Sequence, residues 1–185
     1  MTDERKILLE HDDLGRAISR MAREIVERST NVNEVVLIGI RSRGVHLARR
    51  LARKIQDSAK FAPPVGVIDV TAYRDDRPQE PGSSGIGEFE VPVSVDDKTV
   101  VLVDDVIFRG RTIRAAMDAV ERLGQPKRIL VAVLIDRGAR ELPIRADIVG
   151  KNIEAGDGQR VNVLLEESDG VDQVTIANWQ GRSAK

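Results

Sequence analysis

Val100-Val101-Leu102-Val103-Asp104-Asp105-Val106-Ile107-Phe108-Arg109-Gly110-Arg111-Thr112 is the stretch on which the fold turns. Thr99–Val103 is a short, continuous apolar run, the pattern of a strand buried on both faces. Asp104 and Asp105 follow at once. A helix is predicted from near Thr112, with Ile113, Ala116, Met117 and Val120 inward and Gly124 as its stop. In an open α/β sheet, ligands bind at the carboxyl ends of strands, where these aspartates fall. The loop Phe108–Thr112 feeds a helix N-terminus, whose N–H groups and dipole favour a phosphate. Gly110 allows close approach of the backbone, and Thr112 adds a hydroxyl. Two acceptors followed by an anion cradle match a ribose phosphate, with its vicinal hydroxyls and its phosphate. An acidic strand end before an ordinary capped helix has the same local pattern. The G-x-x-x-x-G-K-[ST] loop is absent, and Gly82–Gly87 is mis-spaced for a dinucleotide fingerprint.

Working outward, the pattern repeats. Glu34–Ile40 reads as a buried strand, Arg41-Ser42-Arg43-Gly44 breaks it, and Val45 to about Asp57 reads as a helix. Val65–Thr71 and Arg128–Ile135 are further strands, and Glu88–Val93 a short one. Leu14, Ala17, Ile18, Met21, Ala22, Ile25 and Val26 form one apolar stripe of a first helix, capped by Asp12 or Asp13. Arg16, Arg20 and Arg23 gather on another face, read as solvated and supported by Arg20–Glu24 and Glu24–Arg28 pairs. The polar segment 73–87 reads either as a lid or as a plain surface loop. Asp136–Asp157 is dense in charge and turns. Val161–Leu165 and Val171–Ala177 alternate around Asp169-Gly170, which predicts a terminal hairpin. With no repeat, linker or low-complexity tract, residues 1–185 are expected to form one domain.

Composition narrows the classes. The 185 residues are 41% apolar and 32% charged, the balance of a globular chain. Lys and Arg total 29 against 30 Asp and Glu, for a net charge of −1, which argues against a chain built mainly to coat nucleic acid. There is no cysteine, so disulfides, zinc fingers and a thiol nucleophile are excluded. His11 and His46 are far apart, leaving carboxylates as candidates for magnesium. No signal-peptide core is visible at the N-terminus, and no run approaches the ~20 apolar residues of a membrane span. A cytoplasmic location without membrane contact is the expectation.

The segment Val100–Thr112 resembles the phosphoribosyl-pyrophosphate signature of type I phosphoribosyltransferases: four apolar residues, two acidic ones and a loop ending in Gly-x-Thr. Ile38-Gly39-Ile40-Arg41-Ser42-Arg43-Gly44 resembles their pyrophosphate loop. Asp69-Val70-Thr71-Ala72-Tyr73-Arg74-Asp75-Asp76 resembles the start of a flexible lid, at about 72–88. Asp136–Asp147 with Val149-Gly150-Lys151-Asn152 resembles a base-binding hood, at about 136–160. Together they look like the pyrimidine-operon attenuation regulators that are also uracil phosphoribosyltransferases. The resemblance runs from about Leu14 to Ile176.

The resemblance implies a central, mostly parallel sheet with helices on both faces, a small hood and a terminal β-hairpin. It implies that uracil and phosphoribosyl pyrophosphate become UMP and pyrophosphate, with magnesium (Mg2+). Asp104 and Asp105 would hold the ribose hydroxyls, directly or through metal-bound water. Val106, Ile107, Phe108, Arg109, Gly110, Arg111 and Thr112 complete the ribose phosphate site. Arg41, Ser42 and Arg43 would take pyrophosphate, Arg74 would arrive with the lid, and Arg137 with the backbone near Val149 would select the base. The second implied activity is binding of pyrimidine-gene leader mRNA under control of UMP or UTP. Its candidates are Arg16, Ser19, Arg20, Arg23, Arg28, Arg140, Arg145 and Lys151, across a homodimer or higher oligomer. Three positions depart from the family pattern: Arg109 in place of a small residue, Ala139 in place of histidine, and Glu154–Gly158 in place of a Pro-Thr-basic run. Besides the bifunctional enzyme, two readings follow: an RNA-binding nucleotide sensor with little catalysis, and a transferase for a purine base.

Overall fold

Alternation along two strands decides the layers. Val35, Leu37, Val101 and Val103 pack into one buried cluster, while Val36, Ile38, Val100 and Leu102 pack into another. Period-two side chains that are apolar on both sides need a covered sheet face on each side. The computed structural model describes residues 5–70, 89–156 and 158–178. In chain order its elements are β1 (Lys6–Leu9), α1 (His11–Arg28), β2 (Val35–Ile40), α2 (Arg43–Ala59), β3 (Val65–Ile68), β4 (Phe89–Glu90), β5 (Thr99–Ile107), α3 (Arg111–Leu123), β6 (Arg128–Asp136), β7 (Ile148–Asn152), β8 (Gln159–Leu164), α4 (Glu166–Asp169) and β9 (Gln173–Asn178).

The main sheet has the order β4-β3-β2-β5-β6-β7. Its pairs are parallel apart from β3 with β4. The buried stripes of α1 and α2 join the cluster on one face, and that of α3 joins the cluster on the other. Each large side chain fully buried there contributes roughly 1.5–3 kcal/mol. From β2 the chain moves outward to β3, and from β5 it moves the opposite way to β6. The crevice between the carboxyl ends of β2 and β5 is therefore the topological switch point. A second, antiparallel sheet of order β1-β9-β8 packs Val161, Val163 and Val174 into the α1–α2 cluster.

Several boundaries differ from the sequence expectations, each for a local reason. Glu10, not Asp12 or Asp13, caps α1, in a reciprocal capping box with Asp13. α2 begins at Arg43, so Arg43 and Gly44 form its first turn instead of a loop. β5 runs on through both aspartates to Ile107, because its pairing with β6 continues to Ile107 opposite Asp136. Ile148–Asn152, expected among turns, is the sixth strand of the main sheet, with Ile148 fully buried beside Ala132. The terminal hairpin is a three-stranded sheet, because Lys6–Leu9 joins it through β9. The expected Arg20–Glu24 pair is replaced. Arg20 donates instead to the carbonyl of Gly150 and, at 3.4 Å, to that of Val149, while Glu24 receives Arg28 at 2.8 Å. The expected lid, with Arg74, lies outside the described residues.

Candidate active site

Glycine brings the two strand ends together. A Cβ on Gly39 would lie 2.5 Å from the Val45 Cα, and one on Gly44 would strike the Val103 carbonyl oxygen. The first turn of α2 thus rests directly against β5, one residue before Asp104. At the other strand end, Gly110 caps α3 with φ 95°, a left-handed conformation that L side chains rarely adopt. Gly110 supplies no capping side chain, so the first N–H groups of α3 keep their donors for an anion.

A cavity of about 350 Å³ opens at this point. Ile40, Arg41 and Arg43 line it from β2 and α2, and Asp104, Asp105, Val106, Phe108 and Thr112 from β5 and the loop into α3. Asp104 is buried and accepts the Asp105 N–H at 2.9 Å, and Asp105 accepts the Val106 N–H at 2.9 Å. The backbone thereby orients both carboxylates at the strand end. The guanidinium carbon of Arg137 lies 3.9 Å from the centroid of the Phe108 ring, a cation–π stack on the cavity wall. The Arg41–Ser42 peptide is cis.

Some expected residues stand beside the cavity and do not line it. Arg109 and Arg111 both turn to Glu141, at 3.2 and 2.5 Å, and Arg109 sits 5.1 Å from the Phe108 ring. The Arg109 carbonyl accepts the N–H groups of Glu141 and Leu142. Ser42 is the N-cap of α2, and Ile107 is buried in the α3-side core. Val149 is packed against that same core in β7, its carbonyl 3.4 Å from an Arg20 nitrogen, and is not among the residues that line the cavity. Ala139 is exposed, with φ 54°.

The candidates for nucleic acid divide. Arg16, Arg20 and Arg23 are exposed on α1, which packs beside β7 and its exposed Lys151. The Asp13 carboxyl lies below its ordinary value, through the Glu10 N–H first, then Arg16 and, more weakly, Lys151. Arg20 and Lys151 also donate to backbone carbonyls of Gly150 and Leu8, which blunts two strands against stray pairing. Ser19 bonds its own helix at Gly15, and Arg28 pairs with Glu24. Arg140 is a structural knot. It donates to Asp136 at 2.6 Å and to the carbonyls of Phe108, Gly138 and Ile144, tying residues 136–144 to the loop before α3. Arg145 is exposed in the loop before β7.

Sequence reading missed one whole wall. Arg160, Asn162 and Thr175 face the cavity from the β1-β9-β8 sheet, with Arg5 just before β1. Thr175, a buried polar residue within an alternating strand, was the available signal. Among the described residues no group of three or more His, Cys, Asp or Glu could hold a metal. No helix among them is long and apolar enough to cross a membrane.

Comparison with known proteins agrees with this geometry. Residues 4–166 match the model of the phosphoribosyl transferase domain family. The hypoxanthine phosphoribosyltransferase of Trypanosoma cruzi shares the fold, with a TM-score of 0.71 at 19% identity over 95% of this chain and 97% of that one. Curated relatives are nearer in sequence. The bifunctional protein PyrR of Chloroflexus aurantiacus is 53% identical over 171 residues, 92% of this chain and 94% of its own. The protein of the same name from Pelotomaculum thermopropionicum is 51% identical over 176 residues, 95% and 97% of the two chains. Likeness at this level, over nearly the full length of each relative, places the chain in the phosphoribosyl transferase family, among the bifunctional PyrR proteins.

Proposed function

We propose that this protein, acting as one phosphoribosyltransferase domain, makes UMP and pyrophosphate from uracil and phosphoribosyl pyrophosphate. We propose a second activity on the same chain, uridine-nucleotide-dependent binding of pyrimidine-gene leader mRNA. The observation that carries the first is the convergence of Asp104, Asp105, Arg41, Arg43 and Thr112 on one cavity at the switch point.

Each group has a task that its chemistry suits. Asp104 and Asp105 bind the ribose hydroxyls, and their negative charge opposes the positive charge that develops on the ribose as pyrophosphate departs. The N–H groups at the start of α3, with Thr112, hold the ribose phosphate. Arg41 and Arg43 take the leaving pyrophosphate, with Ser42 between them at the start of α2. Arg137, stacked on Phe108, faces the base. The backbone near Val149 would complete the base site; the Val149 carbonyl, 3.4 Å from Arg20, keeps a second lone pair. Two adjacent carboxylates are too few to enclose magnesium, but they fit a metal shared with the oxygens of the substrate. Magnesium held that way supplies charge neutralisation to the pyrophosphate. No side-chain nucleophile is needed, since a ring nitrogen of the base attacks the anomeric carbon directly.

A second reading, a nucleotide-sensing RNA-binding regulator with little catalysis, rests on the departures at Arg109 and Ala139; the Arg109 side chain pairs here with Glu141 at 3.2 Å. For RNA, the exposed Arg16, Arg20, Arg23 and Arg28 of α1, with Lys151 of β7 and Arg145, form the candidate surface, together with Ser19 and Arg140. A cytoplasmic homodimer or higher oligomer completes the proposal.

The test is pyrophosphate release from phosphoribosyl pyrophosphate and magnesium, with uracil, hypoxanthine, guanine and orotate offered separately. Release with uracil alone is expected. Release with a purine would discard the pyrimidine assignment. For the second activity, Arg16→Ala with Arg23→Ala is expected to weaken leader-RNA binding and to reduce its salt slope by about two. Binding unchanged at every salt concentration would remove α1 as the RNA surface.

A further inference from the structure

Asp169 ends α4, outside every segment that carries the ribose or its phosphate. Its carboxylate meets Arg43 through two bonds, Nη2 to Oδ1 at 2.8 Å and Nε to Oδ2 at 3.3 Å. A two-point fork fixes the plane of a guanidinium as well as its position. Asp169 is itself held. The Leu165 N–H and the Ser168 hydroxyl donate to it, each at 2.9 Å. α4 is pinned in turn to α2, because Arg50 binds both Glu167 and Asp172. Burial pushes the Asp169 carboxyl up, but the Leu165 N–H, Arg43 and Ser168 outweigh it and hold the group below its ordinary value.

We propose that Asp169 is a positioning residue that holds the Arg43 guanidinium ready at the cavity for an incoming diphosphate. The inference rests on the reading above that Arg43 binds pyrophosphate. A free arginine side chain loses rotamer freedom when it binds, and one already held does not lose it again. A guanidinium has five N–H donors, and Asp169 engages two groups of them, so the rest remain for phosphate oxygens. The two partners can therefore share Arg43. The arrangement also ties the β8–β9 connection to the strand end of β2, which couples the order of the small sheet to anion affinity.

The experiment is a calorimetric titration of magnesium pyrophosphate into the wild-type chain, Asp169→Asn, Arg43→Ala and the double variant, with steady-state kinetics beside it. The pair is partly hydrated, at 30% and 19% side-chain exposure, so the expected effect is modest. Asp169→Asn should weaken pyrophosphate about fivefold and raise KM for phosphoribosyl pyrophosphate similarly. kcat and KM for uracil should stay within about twofold. In the Arg43→Ala background it should add nothing. Ser168→Ala, which leaves the fork in place, should not change pyrophosphate affinity. If Asp169→Asn does not fold, Asp169→Glu gives the same reading, since it keeps the charge, leaves Arg43 intact and displaces the fork. An Arg43→Ala chain that binds pyrophosphate normally would overturn the assignment of Arg43 itself. An effect of Arg43→Ala with none from Asp169→Asn, or with tighter binding, would overturn the positioning role alone. Equal weakening by Asp169→Asn with and without Arg43 would mark a structural role and overturn it too.

Discussion

The cavity has two walls of different origin. One is continuous in sequence: β5, its two aspartates and the turn into α3 occupy residues 99–112. The other is assembled from distant pieces, Arg5 near one end of the chain and Arg160, Asn162 and Thr175 near the other. The first wall is built by local rules, a buried strand followed by a glycine-capped helix. The second exists only because β1 pairs with β9 and β9 with β8. Both carboxylates stand in the first wall, while Arg41 and Arg43 reach the cavity from the end of β2 and the start of α2. The second closes the cavity and is held in turn by ion pairs.

The largest expected effect falls on the first wall. Asp104→Asn with Asp105→Asn should lower kcat/KM by about 10³-fold or more, because both charges opposing the ribose cation are removed. The backbone bonds that orient each residue can still be accepted by asparagine, so the melting temperature should move little. Full activity in the double variant would break the comparison by showing that the first wall is only a frame.

The second wall should respond in stability. Arg50 on α2 holds Glu167 and Asp172, on either side of the turn between β8 and β9, at 2.6 and 2.7 Å. Arg50→Met leaves the buried Asp172 without its main partner and should cost about 3 kcal/mol, or roughly 6–12 °C. Burial pushes the Asp172 carboxyl up, but Arg50 and the Glu166 N–H outweigh it and hold it below its ordinary value. Arg50 likewise holds the Glu167 carboxyl down. Stabilisation from such depressed carboxyls is complete above their unfolded values and lost as pH falls through the folded ones. The gap between wild type and Arg50→Met should therefore close below about pH 4. Urea unfolding at pH 7 and at pH 3 checks it. A gap independent of pH would mean that Arg50 acts through packing.

This division also explains what could be read in advance. Thr99–Thr112 was legible because strand, acid pair, glycine and helix lie in chain order, and each has a local signature. Even there, the strand end was hidden, since only the ladder to β6 carries β5 past Asp105. β7 was not legible because its apolar residues, Ile148 and Val149, are few and stand amid charge. β1 was not legible because four residues, Lys6–Leu9, have no period of their own until β9 supplies the partner. The cavity face of the second wall depends on the docking of that small sheet, which no residue in it announces. Arg140 shows the same limit: an arginine in a charged loop reads as surface, and its four partners appear only when the loop closes on Phe108 and Asp136.

A smaller effect sharpens the role of the second wall. Asn162 lines the cavity between Val161 and Val163, both buried. An amide can donate and accept at once, as the edge of a pyrimidine does. Asn162→Ala should raise KM for uracil about fivefold with kcat nearly unchanged. An unchanged KM would leave the wall with closure as its only task.

The smallest effect belongs to the residue whose sequence context gave it the most prominence. Arg109 stands in the phosphate loop itself, and a guanidinium there could have served the ribose phosphate directly. Its side chain instead pairs with Glu141 at 3.2 Å, in a half-exposed position, and Glu141 keeps Arg111 whether or not Arg109 is present. Exposed pairs of this kind contribute about 0–1 kcal/mol. On the proposed function, the anion is held at this position by the main chain, and threonine carries the same N–H. Arg109→Thr should therefore change kcat/KM less than about threefold and stability less than about 1 kcal/mol. A loss of 30-fold or more would mean that Arg109 leaves Glu141 when substrate arrives, and the first wall would then owe part of its charge to a residue that the ligand-free geometry directs away from it.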